Sequence, residues 1–204
     1  MSARVHVLHA GYSRDLTPTC TQADGSSTLI LDSGQTILVD TMGPRAAGRL
    51  TDLLLQHGIR PQDVNVLIGT HSHPDHIGNL NLFTNARLHV CGFSVYHEDR
   101  YTDHLFTEGE SLDISPNVTV IPTPGHTLSC VSVVVRNVDG LGTVVVAGDL
   151  FEKEEDLRDE SLWINAGSED EESQRNNREK VMQMADYVVP GHGNMFRVPR
   201  DALY

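Results

Sequence analysis

The chain has 204 residues, of which 39% are hydrophobic and 5% aromatic, enough to bury a substantial core but short for two domains, so a single domain over residues 1–204 is expected. Its 28 acidic against 15 basic side chains give a formal charge of -13, which excludes a broad cationic surface of the kind that holds nucleic acid non-specifically. No run approaches the roughly 20 apolar residues of a membrane span, and Met1 to Ala10 lacks the apolar stretch of a secretory signal, so the reading is a soluble intracellular protein with no membrane partner. Cys20, Cys91 and Cys130 are widely spaced and odd in number, which points to buried small hydrophobes rather than disulfides or a thiolate metal site.

Arg4 to Ala10, Ser27 to Leu31 and Thr36 to Asp40 read as short strands, with Asp32-Ser33-Gly34 as a turn, so a meander is expected first. Pro44 suits the first position of a helix that carries Leu50, Leu53, Leu54 and His57 at helical spacing and stops at Gly58. Val64 to Gly69 follows as a buried strand, and at its end stands His71-Ser72-His73-Pro74-Asp75-His76. Pro74 keeps His73 extended, so His71 and His73 share a side, and the backbone must then turn to bring Asp75 and His76 inward. Arg87 to Cys91, Asn117 to Pro122, Cys130 to Val135 and Gly142 to Ala147 are further strands, the last two so rich in Val that both faces should be buried. The acidic stretch Glu152 to Glu160 reads as a solvated loop rather than an ion site, and so does Glu169 to Glu172, where a helix is expected to start. A helix over Ser173 to Ala185 and a strand over Tyr187 to Pro190 complete the order.

The residue types of the His-rich segment are those of a hydrolytic metal centre, imidazole nitrogen with one carboxylate and no thiolate. Three more candidates share one setting, a strand followed by a tight turn: His126 in Thr123-Pro-Gly-His-Thr127, Asp149 in Val144-Val-Val-Ala-Gly-Asp149, and His192 in Val188-Val-Pro-Gly-His-Gly193. Glycine or a Pro-Gly pair lets the backbone turn and leaves the next side chain projecting from the sheet edge. Together these are five imidazoles and two carboxylates, enough for two cations if one carboxylate bridges.

In order and spacing these residues resemble the metallo-β-lactamase superfamily, with its His-x-His-x-Asp-His motif, later His, Asp after a strand, and last His. The resemblance implies an α/β fold, a four-layer αββα sandwich, which periodicity alone does not choose. It implies that His71, His73 and His126 hold one metal, that Asp75, His76 and His192 hold a second, and that Asp149 bridges them, with zinc expected and iron or manganese open. Asp40, in Ile37-Leu-Val-Asp-Thr41, matches the family's aspartate that orients the metal loop, but Met42 stands where the family has glycine, which puts the shape of that loop in question. The expected reaction is hydrolysis by a metal-activated water; Asp75 is expected as a ligand only or, as the candidate catalytic residue, as a ligand that also accepts a proton.

Thr70 to Leu80, Gly142 to Glu152 and Val188 to Gly193 also resemble an animal subgroup of that superfamily. That resemblance implies a metal-dependent endoribonuclease acting on single-stranded RNA in histone pre-messenger RNA 3′-end processing, in nucleus and cytoplasm, with a homodimer allowed. The alternatives are a glyoxalase II-like thioester hydrolase, a lactone or β-lactam hydrolase acting on a small acyl substrate, and a non-catalytic metal-binding scaffold. Only 12 residues follow His192, no room for the helical domain with which glyoxalase II enzymes hold glutathione. Tyr101 and His104 lie between the two halves of the pattern and are expected at the surface rather than in the site.

Overall fold

The structure, a computed structural model, describes residues 2–199. Its first part contains β1 (Arg4–His9), β2 (Tyr12–Thr17), β3 (Cys20–Asp24), β4 (Ser27–Asp32), β5 (Gln35–Val39), α1 (Ala47–Gln56), β6 (Val66–Gly69), α2 (Pro74–Ile77), β7 (Leu88–Cys91), β8 (Ser94–His97) and β9 (Arg100–Thr102). The remainder adds β10 (Leu112–Ser115), β11 (Val118–Pro122), β12 (Val131–Val138), β13 (Gly142–Gly148), α3 (Ser161–Asn165), α4 (Glu171–Met184), β14 (Tyr187–Pro190) and β15 (Phe196–Arg197). One sheet runs β1-β4-β5-β6-β7-β8-β9, a second β10-β11-β12-β13-β14-β15, and β2 with β3 forms a separate hairpin.

The layers follow from alternation along the strands, because successive side chains face opposite sides of a sheet. Ile37, Val39, Val66 and Ile68 of the first sheet meet Val133, Val135, Val144 and Val146 of the second in a core between them. The intervening residues face outward. Leu38 and Leu67 pack under Leu50 and Leu54 of α1, and Val134 and Val145 pack under Val181 and Met182 of α4. Helix, sheet, sheet, helix is the αββα sandwich, and the Val-rich strands are buried on both faces as their composition predicts.

Three expectations need correction. Pro44 does not open α1: Gly43 C=O accepts from Ala46 N at 2.9 Å, so Pro44 and Arg45 form a turn and the helix begins at Ala47. Cys20 is exposed, at the tip of the β2–β3 hairpin, and only Cys130 is fully buried. The acidic stretch after Asp149 is not uniformly solvated, since Glu152 and Asp156 are 6% and 1% exposed. The short strands β2, β3, β8, β9, β10 and β15 carry no strong apolar alternation and are not anticipated from the sequence.

Candidate metal centre

Strand direction places the candidate residues together. β11 and β13 are both antiparallel to β12, and β14 is parallel to β13, so β11, β13 and β14 all run one way. The turns beyond their C-terminal ends carry His126, Asp149 and His192 along one edge of the second sheet. β6 delivers the His-rich segment from the first sheet, and Val131 N donating to Thr70 C=O at 2.8 Å ties the two sheets at this edge. His73 is extended, with φ -67° and ψ 142°, and the single turn of α2 then swings Asp75 and His76 inward.

All seven predicted side chains reach this point. His71 Nε2 and His126 Nε2 each lie 3.0 Å from His73 Nδ1, and 3.4 and 3.3 Å from Asp149 Oδ2. Four donors around a tetrahedral ion with bonds of about 2.0–2.1 Å would be about 3.3 Å apart, so the spacing fits a cation. Beside it, His76 Nε2 is 3.0 Å from Asp149 Oδ1, and His192 Nε2 is 3.3 Å from Asp149 Oδ2 and 3.7 Å from Asp75 Oδ2. Asp75 is the most open of this second group, with its side chain 24% exposed.

Hydrogen bonds behind the imidazoles set their tautomers. His76 Nδ1 donates to Asp40 Oδ2 at 2.8 Å, leaving the Nε2 lone pair turned to Asp149. Thr70 Oγ1 donates to Asp40 Oδ2 at 2.9 Å and so accepts from His71 Nδ1 at 3.1 Å, which leaves His71 Nε2 unprotonated. His192 Nδ1 lies 3.2 and 3.3 Å from the carbonyls of Tyr12 and Asp24 and donates to them. Lone pairs therefore converge from several sides, and His76 Nε2 and Asp149 Oδ1, buried and 3.0 Å apart, make no hydrogen bond among the described residues. Orphaned acceptors at this density are costly unless a cation sits among them, and the donor set fits such a group.

The electrostatics agree. Burial disfavours charge on His76, yet Asp149 and Asp40 raise its pKa well above the usual imidazole value. Burial likewise opposes charge on His192, and Asp149 lifts it to about 9. His126 is pushed by burial down to about 4 against the pull of Asp149. Burial and the charge of Asp149 raise Glu152 to about 8. Positive charge is attracted on one side of Asp149 and imidazole kept neutral on the other, which a pair of cations would satisfy together.

The Asp40 to Gly43 loop is where Met42 departs from the family pattern. Asp40 and Met42 both take φ 59°, a left-handed conformation that favours glycine. Met42 is fully buried among Leu29, Leu38, Leu50 and Leu54, so apolar burial offsets the strain. Gly78 N donates to Met42 C=O at 2.9 Å and Asn79 Nδ2 to Thr41 C=O at 2.7 Å, which fastens this loop to the end of α2. The substituted glycine leaves the Asp40 carboxylate on His76 and Thr70.

The centre opens into a cavity of about 680 Å³. Ser13, Asp15, Thr21 and Ala23 of the β2–β3 hairpin line it together with Lys153, Ser161, Leu162 and Asn165. Neither the hairpin nor Glu152 is foreseen from the sequence: the hairpin is exposed and polar, and Glu152 stands in a run of acids that looks solvated. Tyr101 and His104 lie outside this lining, and Tyr101 is 73% exposed. No helix of the described residues is long and apolar enough to cross a membrane.

Comparison with known proteins gives a consistent result. The Metallo-beta-lactamase superfamily profile matches residues 20–192. The chain is similar to metallo-beta-lactamase domain-containing protein 1 of Xenopus laevis, 44% identical over 196 residues that cover 95% of this chain and 81% of that protein. It is 45% identical to the Mus musculus protein of the same name over 194 residues, covering 94% and 72%. Its fold resembles the crystal structure of a quorum-quenching N-acyl homoserine lactone lactonase, with TM-score 0.66 at 20% identity, over 94% of this chain and 91% of that one. Profile, relatives and fold agree that this chain belongs to the metallo-beta-lactamase superfamily.

Proposed function

We propose that this chain is a two-cation hydrolase that cuts single-stranded RNA internally, as in the 3′-end processing of histone pre-messenger RNA, in nucleus and cytosol. Hydrolysis rests on one observation above the rest: seven side chains from two sheets converge with their lone pairs turned inward, so that Asp149 faces both groups of imidazoles. RNA as substrate rests on the likeness of the segments around those residues to the animal subgroup. In this reading His71, His73 and His126 would hold one cation, Asp75, His76 and His192 the other, and Asp149 would serve both. Divalent cations held there would activate a water for attack and polarise the oxygen under attack.

The protein's own groups then have distinct tasks. Asp40 holds His76 and, through Thr70, His71 in the tautomers that point Nε2 inward. Asp75, the more open of the two carboxylates, is able to take the proton of the attacking water and return it to the departing oxygen. The β2–β3 hairpin lines the cavity with Ser13, whose hydroxyl can donate to a substrate's oxygens, while Thr21 Oγ1 donates to Asp15 Oδ1 at 2.7 Å.

A second reading, hydrolysis of a lactone, thioester or β-lactam, is favoured by the formal charge of -13, which leaves no broad cationic surface to hold an RNA strand. One comparison separates them: metal content of the purified protein, then turnover of single-stranded RNA, S-lactoylglutathione, an N-acyl homoserine lactone and a cephalosporin, each beside His126→Ala. About two metals per chain and RNA cleavage abolished by the substitution are expected. RNA cleavage that survives both chelation and the substitution would sink the ribonuclease reading. Turnover of an acyl substrate alone would favour the second reading, and silence on all four with full metal would make the chain a scaffold.

A further inference from the structure

Among the described residues, Glu152 is the one buried acid lining the cavity that the seven-residue pattern does not use. Its backbone is pinned on both sides: its N–H donates to Asp156 Oδ2 at 2.8 Å, and its C=O accepts from His192 N at 2.8 Å. The side chain is thereby aimed into the cavity, where it is only 8% exposed. Among the described residues its carboxylate takes part in no hydrogen bond, and its ion contact is His192 Nε2 at 3.9 Å. A carboxylate buried to this degree without hydrogen bonds stays ionised at neutral pH only with a cation beside it.

We infer that Glu152 is an eighth ligand of the centre, a further carboxylate for the cation held by Asp75, His76 and His192, and that it makes this position prefer a harder ion. The inference rests on the two-cation reading above. Two donors on one ion, at bond lengths of about 2.0–2.2 Å, stand no more than about 4.3 Å apart, and 3.9 Å from His192 meets that limit. Asp149, Glu152 and His192 each offer an atom within 4.8 Å of the others, and His192 also belongs with Asp75 and His76, so a small movement of the Glu152 side chain brings it to the cation that His192 would hold. The position beside His71, His73 and His126 has nitrogen donors and a single carboxylate, whereas the second would have two imidazoles with Asp75, Asp149 and Glu152. Oxygen-rich sets suit manganese, and imidazole-rich sets suit zinc.

The test is calorimetric titration of the metal-free protein with Zn²⁺ and separately with Mn²⁺, for the wild type, Glu152→Gln and Glu152→Asp. Two equivalents are expected in the wild type. Both variants should weaken the second equivalent by about tenfold or more, more for Mn²⁺ than for Zn²⁺, and leave the first unchanged. Retention of the first equivalent shows that the variant has folded, and if Glu152→Gln loses it, Glu152→Asp decides. Weakening by Gln but not by Asp would mean that Glu152 contributes charge at a distance, and would overturn ligation. Wild-type affinity in both variants would also overturn it. Fewer than two equivalents in the wild type would instead remove the two-cation reading itself.

Discussion

Asp149 turns its two carboxylate oxygens to different neighbours, Oδ1 to His76 and Oδ2 to His71, His126 and His192. That orientation depends on the absence of a side chain at Gly191, where an added Cβ would stand 1.8 Å from Asp149 Oδ1. Gly191 does not have a positive φ, so the cost of substituting it is steric and falls on that carboxylate. Gly191→Ala is therefore expected to lower metal affinity by at least the ~10–100-fold typical of losing a group that orients a ligand. Far-UV circular dichroism should stay unchanged. Metal content equal to wild type, measured by emission spectroscopy after dialysis, would refute this account of the glycine. The sequence offers only Pro-Gly-His as a tight turn here; that the glycine makes room for Asp149 depends on β13 and β14 being neighbours.

At the scale of elements, α4 braces the turns that carry the site. Gln174 Nε2 donates to Asp149 C=O at 3.1 Å, and Asn177 Nδ2 to Pro124 C=O at 2.8 Å. Arg178 donates to Leu150 C=O, to Asp156 C=O and to the Asp156 carboxylate, and stacks 4.2 Å from the Phe151 ring. Asp156 in turn accepts from Glu152 N, so one buried ion pair sets the chain just beyond Asp149. Arg178→Met would strand the Asp156 charge and is expected to cost ~3–5 kcal/mol. Urea unfolding checks this, and Arg178→Met with Asp156→Leu should recover much of the loss. A single variant within 1 kcal/mol of wild type would show that the pair is not a brace. The helix itself is legible in the sequence, but its task is not, because Glu152, Asp156 and Arg178 look like ordinary members of a charged surface until α4 packs against the turn.

The two sheets of the molecule are held by more than the apolar layer between them. Ala3 bridges to Val138, and Asp32 at the end of β4 accepts from Ser115 Oγ, Asn117 N and Asn117 Nδ2 in the β10–β11 turn of the other sheet. Burial alone would raise the pKa of Asp32, but these donors hold its carboxyl below the usual carboxylate range. A lowered folded-state value means that the stabilisation is complete above the unfolded value, near 3.8, and is lost as pH falls through the folded-state pKa. Asp32→Ala should cost about 1.5–3 kcal/mol at neutral pH and flatten the fall of stability below pH 4. Thermal melts of both proteins between pH 3 and 7 measure this, and parallel curves would rule out the Asp32 latch.

The sequence by itself determined the candidate ligands, their setting at strand ends and most of the buried strands, because metal chemistry restricts which side chains can serve and burial restricts which residues can form inner strands. His71, His73, Asp75, His76, His126, Asp149 and His192 are all named by that logic. Only the tertiary structure decided that β11, β13 and β14 run in one direction, that a polar hairpin roofs the cavity, and that Glu152 faces the site rather than water. The reason is physical: parallel neighbours, a steric gap at Gly191 and the burial of an acid are relations between distant segments, and local composition does not encode them.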